Sequence, residues 1–151
     1  MKTKTQKQLL LSLRRNGRAK LSEISRDTGI PTTTLFEHLK QFSAGCVRKY
    51  VPLVDWQSCG FGIRVAGAIK AKQSSKEKLQ EFLSSSKSIN SLQRINNNLD
   101  FFFEALFPMI KDFEEFNENL RSMSAKLKTF FIVEAVREEH LFTEKGHLGL
   151  M

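Results

Sequence analysis

The chain has 151 residues, of which 40% are hydrophobic and 13 are Phe; that is enough to build one ordinary domain or two small ones with a real core, and it excludes a disordered polypeptide. No apolar run approaches the roughly 20 residues of a membrane span, and the start, MKTKTQKQ, lacks the apolar block of a secretion signal. Charge is uneven: residues 1–50 hold 11 Lys and Arg against 3 Asp and Glu, whereas residues 51–151 hold 13 of each.

A first helix is predicted over residues 5–15, with Leu9, Leu10 and Leu13 on one face and a stop at Asn16-Gly17. Arg14, Arg15, Arg18 and Lys20 cluster around that stop. Residues 21–42, LSEISRDTGIPTTTLFEHLKQF, read as two short helices joined by a tight turn. Leu21 and Ile24 give the first an apolar edge, and Gly29 supplies the left-handed conformation that ends it. Pro31 suits the first turn of a new helix, and Thr32, Thr33 and Thr34 can cap that start. Leu35, Leu39 and Phe42 then recur at i, i+4 and i+7 as an inward stripe. Opposite lie Thr33, Thr34, Glu37, Lys40 and Gln41, with His38 at the edge.

The pair matches a helix-turn-helix, whose second helix offers polar groups to base edges in the major groove. An ordinary helical hairpin shares the local pattern. What separates the two is charge: the whole positive excess falls in this third of the chain, as phosphate binding requires. A solvated basic surface is the plainer alternative. The expected core of the three-helix unit is Leu9, Leu10, Leu13, Leu21, Ile24, Ile30, Leu35, Leu39 and Phe42. Residues 47–53, VRKYVPL, read as a short extended segment with Arg48 and Lys49 in a wing-like position, and Pro52 makes it an edge or a linker.

Past residue 60 the period changes. Ile63, Val65, Gly67, Ile69 and Ala71 alternate with Arg64, Ala66, Ala68, Lys70 and Lys72, a half-buried strand. Ser74 or Ser75 caps a helix bearing Leu79, Phe82 and Leu83. A second strand over residues 88–95 places Ile89 and Ile95 on one face and Leu92 on the other. Asn96-Asn97-Asn98 forms a turn, since Asn tolerates left-handed angles. Residues 101–107 are apolar nearly throughout, as in a central strand. Pro108 opens a helix with Met109, Phe113, Phe116, Leu120 and Met123 as its stripe, and residues 129–136 form the last strand.

Strand-helix-strand-strand-helix-strand is the split order of a ferredoxin-like sandwich. Two helices would cover one sheet face. The other, carrying residues such as Phe102 or Phe131, is expected to be covered by a second copy of the chain. The expected division is 1–50 for the helix-turn-helix, 51–60 for a strand or linker, 61–137 for the sandwich and 138–151 for a tail. That tail has no clear period, so disorder or exchange between protomers is expected of it.

With both halves read, the chain resembles the leucine-responsive regulatory protein and AsnC family of prokaryotic transcription regulators over about residues 7–139. The stretches that carry this are Asn16-Gly17-Arg18-Ala19, Leu21-Ser22-Glu23-Ile24, Gly29-Ile30-Pro31 and Thr34-Leu35. The resemblance implies an α+β protein with an N-terminal, winged-helix-like helix-turn-helix followed by a ferredoxin-like βαββαβ domain. It implies a cytoplasmic, nucleoid-associated homodimer, with tetramers or octamers as further states. Its implied partners are double-stranded DNA and an amino acid or similar metabolite bound between dimers. DNA contacts are then expected from Arg18, Lys20, Thr32, Thr33, Thr34, Glu37, His38, Lys40, Arg48 and Lys49. The effector turn falls on Asn97, Asn98, Leu99 and Asp100. Two positions depart from the family pattern: His38 stands where Arg is usual, and the turn keeps only Asp100 of a G-D-F/Y-D sequence, without the glycine that lets a ligand approach the backbone.

No catalytic set, metal site or cofactor is expected. Gly60-Phe61-Gly62 precedes a strand rather than a helix, unlike a dinucleotide fingerprint. His38, His140 and His147 are scattered, and Cys46 and Cys59 lack a CxxC spacing or a basic neighbourhood. Three function classes stand: a sequence-specific regulator, an architectural DNA protein with little sequence preference, and an enzyme like the haem-pathway decarboxylases of similar layout. The last needs His, Arg and Trp near the turn, and residues 97–103 contain none of them.

Overall fold

A computed structural model describes residues 3–150; Met1, Lys2 and Met151, at the ends of the expected first domain and tail, lie outside the described residues. The chain forms two compact units, one made of the residues up to Leu53 together with those from Arg137, the other of Val54–Val136.

In the first unit, α1 (Lys4–Arg15) starts at a capping box: the Gln6 N–H donates to Thr3 Oγ1 and the Thr3 N–H to Gln6 Oε1, at 3.3 and 3.0 Å. It stops at Asn16, whose Oδ1 accepts from the Arg18 N–H at 3.0 Å and folds the Asn-Gly-Arg turn. Helix α2 (Leu21–Thr28) ends at Gly29, with φ 72°, and α3 (Thr32–Ala44) follows. The threonines do not cap α3 as expected: Pro31 occupies the N-cap and no side chain satisfies the first turn. Leu9, Leu13, Ile24, Ile30, Leu35 and Phe42 form the buried core; Leu10, Leu21 and Leu39 are only partly covered. Burying these apolar side chains, at about 1.5–3 kcal/mol each, fixes the angle between α2 and α3 that the turn alone would leave loose.

On the flanks, residues 47–53 form no strand, because no partner strand exists for them among the described residues of this unit. Instead the segment is pinned by its side chains: Val47 joins the edge of the core and Tyr50 lies over Gly17, 3.4 Å from where a Cβ would sit. The tail is not separate either. The Arg14 guanidinium donates to the Glu139 carboxylate at 3.0 Å and to the carbonyls of Glu139 and Leu141 at 2.7 and 3.1 Å. Arg15 Nε donates to the Thr143 carbonyl at 2.5 Å, and a 3-10 turn, Lys145–Leu150, lies against α1.

The second unit runs β1 (Ile63–Ala71), a 3-10 turn, α4 (Lys76–Ser85), β2 (Ile89–Arg94), β3 (Phe101–Phe107), α5 (Ile110–Met123) and β4 (Ser124–Phe131). The sheet order is β2-β3-β1-β4, antiparallel throughout, as the split ferredoxin-like arrangement requires. Leu79, Leu83, Phe113, Phe116, Leu120 and Met123 from the helices pack on Val65, Ile69, Phe101, Phe103, Ala105 and Phe107.

Strand β4 starts five residues before the expected 129 and stops at 131; Val133 and Val136 beyond it are almost fully exposed. Its pairing with β1 also corrects the face assignment of Phe131. Phe131 lies opposite Val65 and its ring meets that of Phe113 at 5.1 Å, so it faces the helices. Phe130, opposite Ala66, faces the other way, with Phe102, Lys126 and Lys128. In β2 a bulge between Ile89 and Ser91 shifts the register by one, so Ile89 and Leu92 both pack on the core rather than pointing apart.

Candidate nucleic-acid interface

Helix α3 exposes one arc. Thr33, Phe36, Glu37 and Lys40 are solvent-exposed along it, with Thr32 at its start. Three and four residues apart, these side chains stand one turn above another and present a single surface. Thr34 is half-buried at the side of the arc. His38 is directed elsewhere: its Nε2 lies 3.1 Å from Thr5 Oγ1 of α1, and Gln41 likewise accepts from Gln6 Nε2 at 2.8 Å. The helix period carries position 38 round to the α1 side, beside the exposed arc rather than on it.

Around this arc the first unit supplies exposed cations. Arg18 and Lys20 lie just before α2, at whose start the Lys20 N–H donates to Glu23 Oε2 at 3.2 Å. Arg48 and Lys49 are exposed between two anchored neighbours, Val47 and Tyr50, and the Tyr50–Gly17 contact sets them beside the Asn16-Gly17-Arg18 turn. Burial pushes the Tyr50 hydroxyl above its ordinary range, with the Cys46 thiol nearby adding to the shift, so it stays protonated at neutral pH. Arg14 and Arg15, by contrast, are engaged by the tail.

Phe36 is the residue the sequence reading passed over. It is 49% exposed, outside the buried cluster, and Lys40 Nζ stands 5.2 Å from its ring centroid. The helical period could have shown it, since position 36 falls between Lys40 and Leu39, at the border of the polar arc and the Leu35, Leu39 and Phe42 stripe.

The turn at 97–100 has a different character. Asn97 and Asn98 both take positive φ, 61° and 66°, at the tip of the six-residue connection between β2 and β3. Asp100 is already bound on both oxygens: Oδ1 pairs with Lys76 Nζ at 2.6 Å and Oδ2 accepts from the Ala71 N–H at 2.9 Å. The Lys76 hydrogen bond, and then the Ala71 N–H, hold its carboxyl below the usual carboxylate range. Lys70 Nζ reaches Asn98 Oδ1 at 3.1 Å. Leu99 is half-buried.

His140 and His147, scattered in sequence, are brought together with Glu144, their ligand-type atoms all within 4.8 Å. Those atoms pair within the group: His140 Nε2 lies 3.4 Å from Glu144 Oε1, and His147 Nδ1 accepts from the Glu144 N–H at 3.4 Å. Cys46 and Cys59 are exposed free thiols. No helix among the described residues is long and apolar enough to cross a membrane.

No family model matches the sequence. An uncharacterized HTH-type transcriptional regulator of Pyrococcus horikoshii is 19% identical over 136 residues, spanning 88% of this chain and 92% of that protein. A second, from Pyrococcus furiosus, is 25% identical over 111 residues, spanning 73% and 75%. Among solved structures, a transcriptional regulator from Neisseria meningitidis in complex with L-Met superimposes with a TM-score of 0.82 at 19% identity, covering 91% of this chain and 94% of that one. LrpC of B. subtilis gives 0.81 at 16% identity, covering 91% and 99%. An AsnC family transcriptional regulator from Agrobacterium tumefaciens gives 0.78 at 15% identity, covering 91% and 94%. The chain has the fold of the Lrp/AsnC transcriptional regulators, a helix-turn-helix joined to a ferredoxin-like sandwich.

Proposed function

We propose that this protein is a sequence-specific, DNA-binding transcription regulator of the leucine-responsive/AsnC type, and not an enzyme. The observation that carries the reading is the exposed arc of α3, Thr33, Phe36, Glu37 and Lys40, in the unit that holds the positive excess. Arg18, Lys20, Arg48 and Lys49 bind phosphates and set the register; the α3 arc reads base edges. Thr32 and Thr34 flank that arc, with the uncapped N–H groups of the first turn beside them available to a phosphate. The names of the Pyrococcus, Neisseria and Agrobacterium relatives support the same reading.

The working unit is a two-fold dimer formed through the sheet face that carries Phe102 and Phe130, and larger assemblies build on that dimer. An amino-acid effector belongs to the proposal in a restricted form. The L-Met complex of the Neisseria protein makes an amino acid the ligand class to try. The Asn97–Asp100 turn does not offer a ready site, since Lys76 and the Ala71 N–H already occupy the Asp100 carboxylate that a ligand ammonium would need.

The test compares one enriched duplex with random duplex across salt. The reading expects a preference of at least about 10³-fold, and a loss of roughly three to five decades of affinity between 50 and 200 mM salt if 6–10 phosphates are engaged. Equal affinity for both duplexes would establish the architectural protein instead.

A further inference from the structure

The α3 arc is polar except at one position. Thr32, Thr33, Glu37 and Lys40 could all remain hydrated at little cost, but Phe36 leaves half of an aromatic ring in water, with no place in the core cluster beneath it. An exposed aromatic at the edge of a polar recognition surface is informative because its neighbours fix what can cover it. Thr33 stands one turn before it and Lys40 one turn after, with the ammonium over the ring. The occupant must therefore be apolar at one point and anionic close by.

Duplex DNA presents that combination in the major groove. Every base edge there is a set of hydrogen-bond donors and acceptors, except that thymine adds a C5-methyl group. We propose that Phe36 is a specificity-determining residue that reads a thymine methyl, while Lys40, held beside it by the ring, meets the phosphate backbone or an adjacent acceptor edge. This rests on the reading of α3 as the DNA-reading helix and adds to it the identity of one base. Glu37 acts through hydrogen bonds and cannot separate thymine from the same base without its methyl; the Thr33 methyl is the competing apolar contact on this arc, and the Phe36→Ala variant distinguishes the two.

The experiment uses the full chain and a duplex enriched by it from a random pool. Each thymine is replaced singly by deoxyuridine, which removes the methyl and keeps the hydrogen-bonding edge. Wild type should lose about three- to fivefold in affinity at one position per half-site, the scale of burying one methyl group. Phe36→Ala should bind the thymine and uracil forms alike, and Phe36→Leu, which keeps an apolar tip, should retain part of the discrimination. Indifference of wild type to every uracil replacement, on a duplex it still prefers over random DNA, would overturn the assignment. So would a Phe36→Ala variant that still discriminates. A Phe36→Ala variant with unchanged base preference but a smaller particle by light scattering would place the ring in a contact between copies instead. No enriched duplex at all would mean that the regulator reading itself has failed, which is a separate result.

Discussion

Gly67 shows how much one missing side chain can decide. It sits in the middle of β1, directly opposite Phe103 of β3, and the Phe103 ring folds across it. A Cβ at position 67 would lie 2.2 Å from Phe103 Cζ and 2.4 Å from Cε1. That ring cannot simply swing away, since it is fully buried and meets Phe116 edge-on at 5.8 Å. Gly67→Ala should therefore destabilise the protein by about 1–3 kcal/mol, the usual cost of overpacking. Urea denaturation measures it, and adding Phe103→Leu should recover part of the loss because the two positions are in contact. Unchanged stability would mean that the ring does not rest on the glycine. The alternation of β1 marked position 67 as inward-facing. It could not show that a ring from 36 residues away occupies the space, because cross-strand register is set by packing and is absent from the local pattern. Phe36 is the opposite case: the sequence held its position on the helix, and only its exposure makes it a candidate contact.

At the scale of elements, regular periods were legible and irregular ones were not. The stripe of α3, the glycine stop of α2 and the alternation of β1 follow from local chemistry and stand as read. Strand β4 was displaced because it lies at the sheet edge, where Lys126 and Lys128 alternate with few apolar residues. The more apolar run that follows it drew the assignment forward. Of the two readings left open for residues 47–53, edge strand or linker, the second holds, since an extended pattern needs a partner strand to become a strand. The β2–β3 turn, by contrast, is built as its three asparagines indicate, and what the sequence could not show is its bond to α4. Asp100 ties the start of β3 to Lys76 and to the end of β1. Its carboxyl titrates below the ordinary range in the folded protein, first because of Lys76 and then the Ala71 N–H. The folded value lies below the unfolded one, so this stabilisation is complete above about pH 4 and is lost as pH falls through the folded value. Wild type should lose stability over that acid range more steeply than Asp100→Asn, as followed by thermal melts from pH 5 to 2. Parallel curves would contradict the clamp.

At the scale of the whole molecule, composition alone divided the chain into a basic part and a neutral one. The tail is where that division was incomplete. Glu139 and the backbone of residues 139–143 occupy Arg14 and Arg15, so the sequence's cluster of four cations around Asn16 offers chiefly Arg18 and Lys20 to DNA. Nothing in the tail's own pattern indicated this, since the contacts span more than 120 residues and run largely to main-chain carbonyls. The open sheet face is also less apolar than expected, with Lys70, Lys126 and Lys128 beside Phe102, Ala66, Ala68 and Phe130. Enough remains for a specific interface: Phe102 and Phe130 flank the two alanines of β1 and are 37% and 57% exposed. Light scattering should give at least a dimer, burying about 1,200 Å² or more in total, and Phe102→Glu with Phe130→Glu should lower the mass. A 17.3 kDa particle at micromolar concentration would contradict this.

The central claim is that α3 reads sequence. Selection from random oligonucleotides, run in parallel with wild type, Thr33→Ala and Glu37→Ala, tests it most directly. Wild type should recover near-palindromes whose half-site centres lie one or more helical turns apart, about 34 Å per turn. Each variant should change the preferred base at particular positions by about 1–3 kcal/mol and leave affinity for random DNA nearly unmoved. The same featureless pool from all three proteins would contradict the claim and leave only a basic surface that binds DNA without reading it.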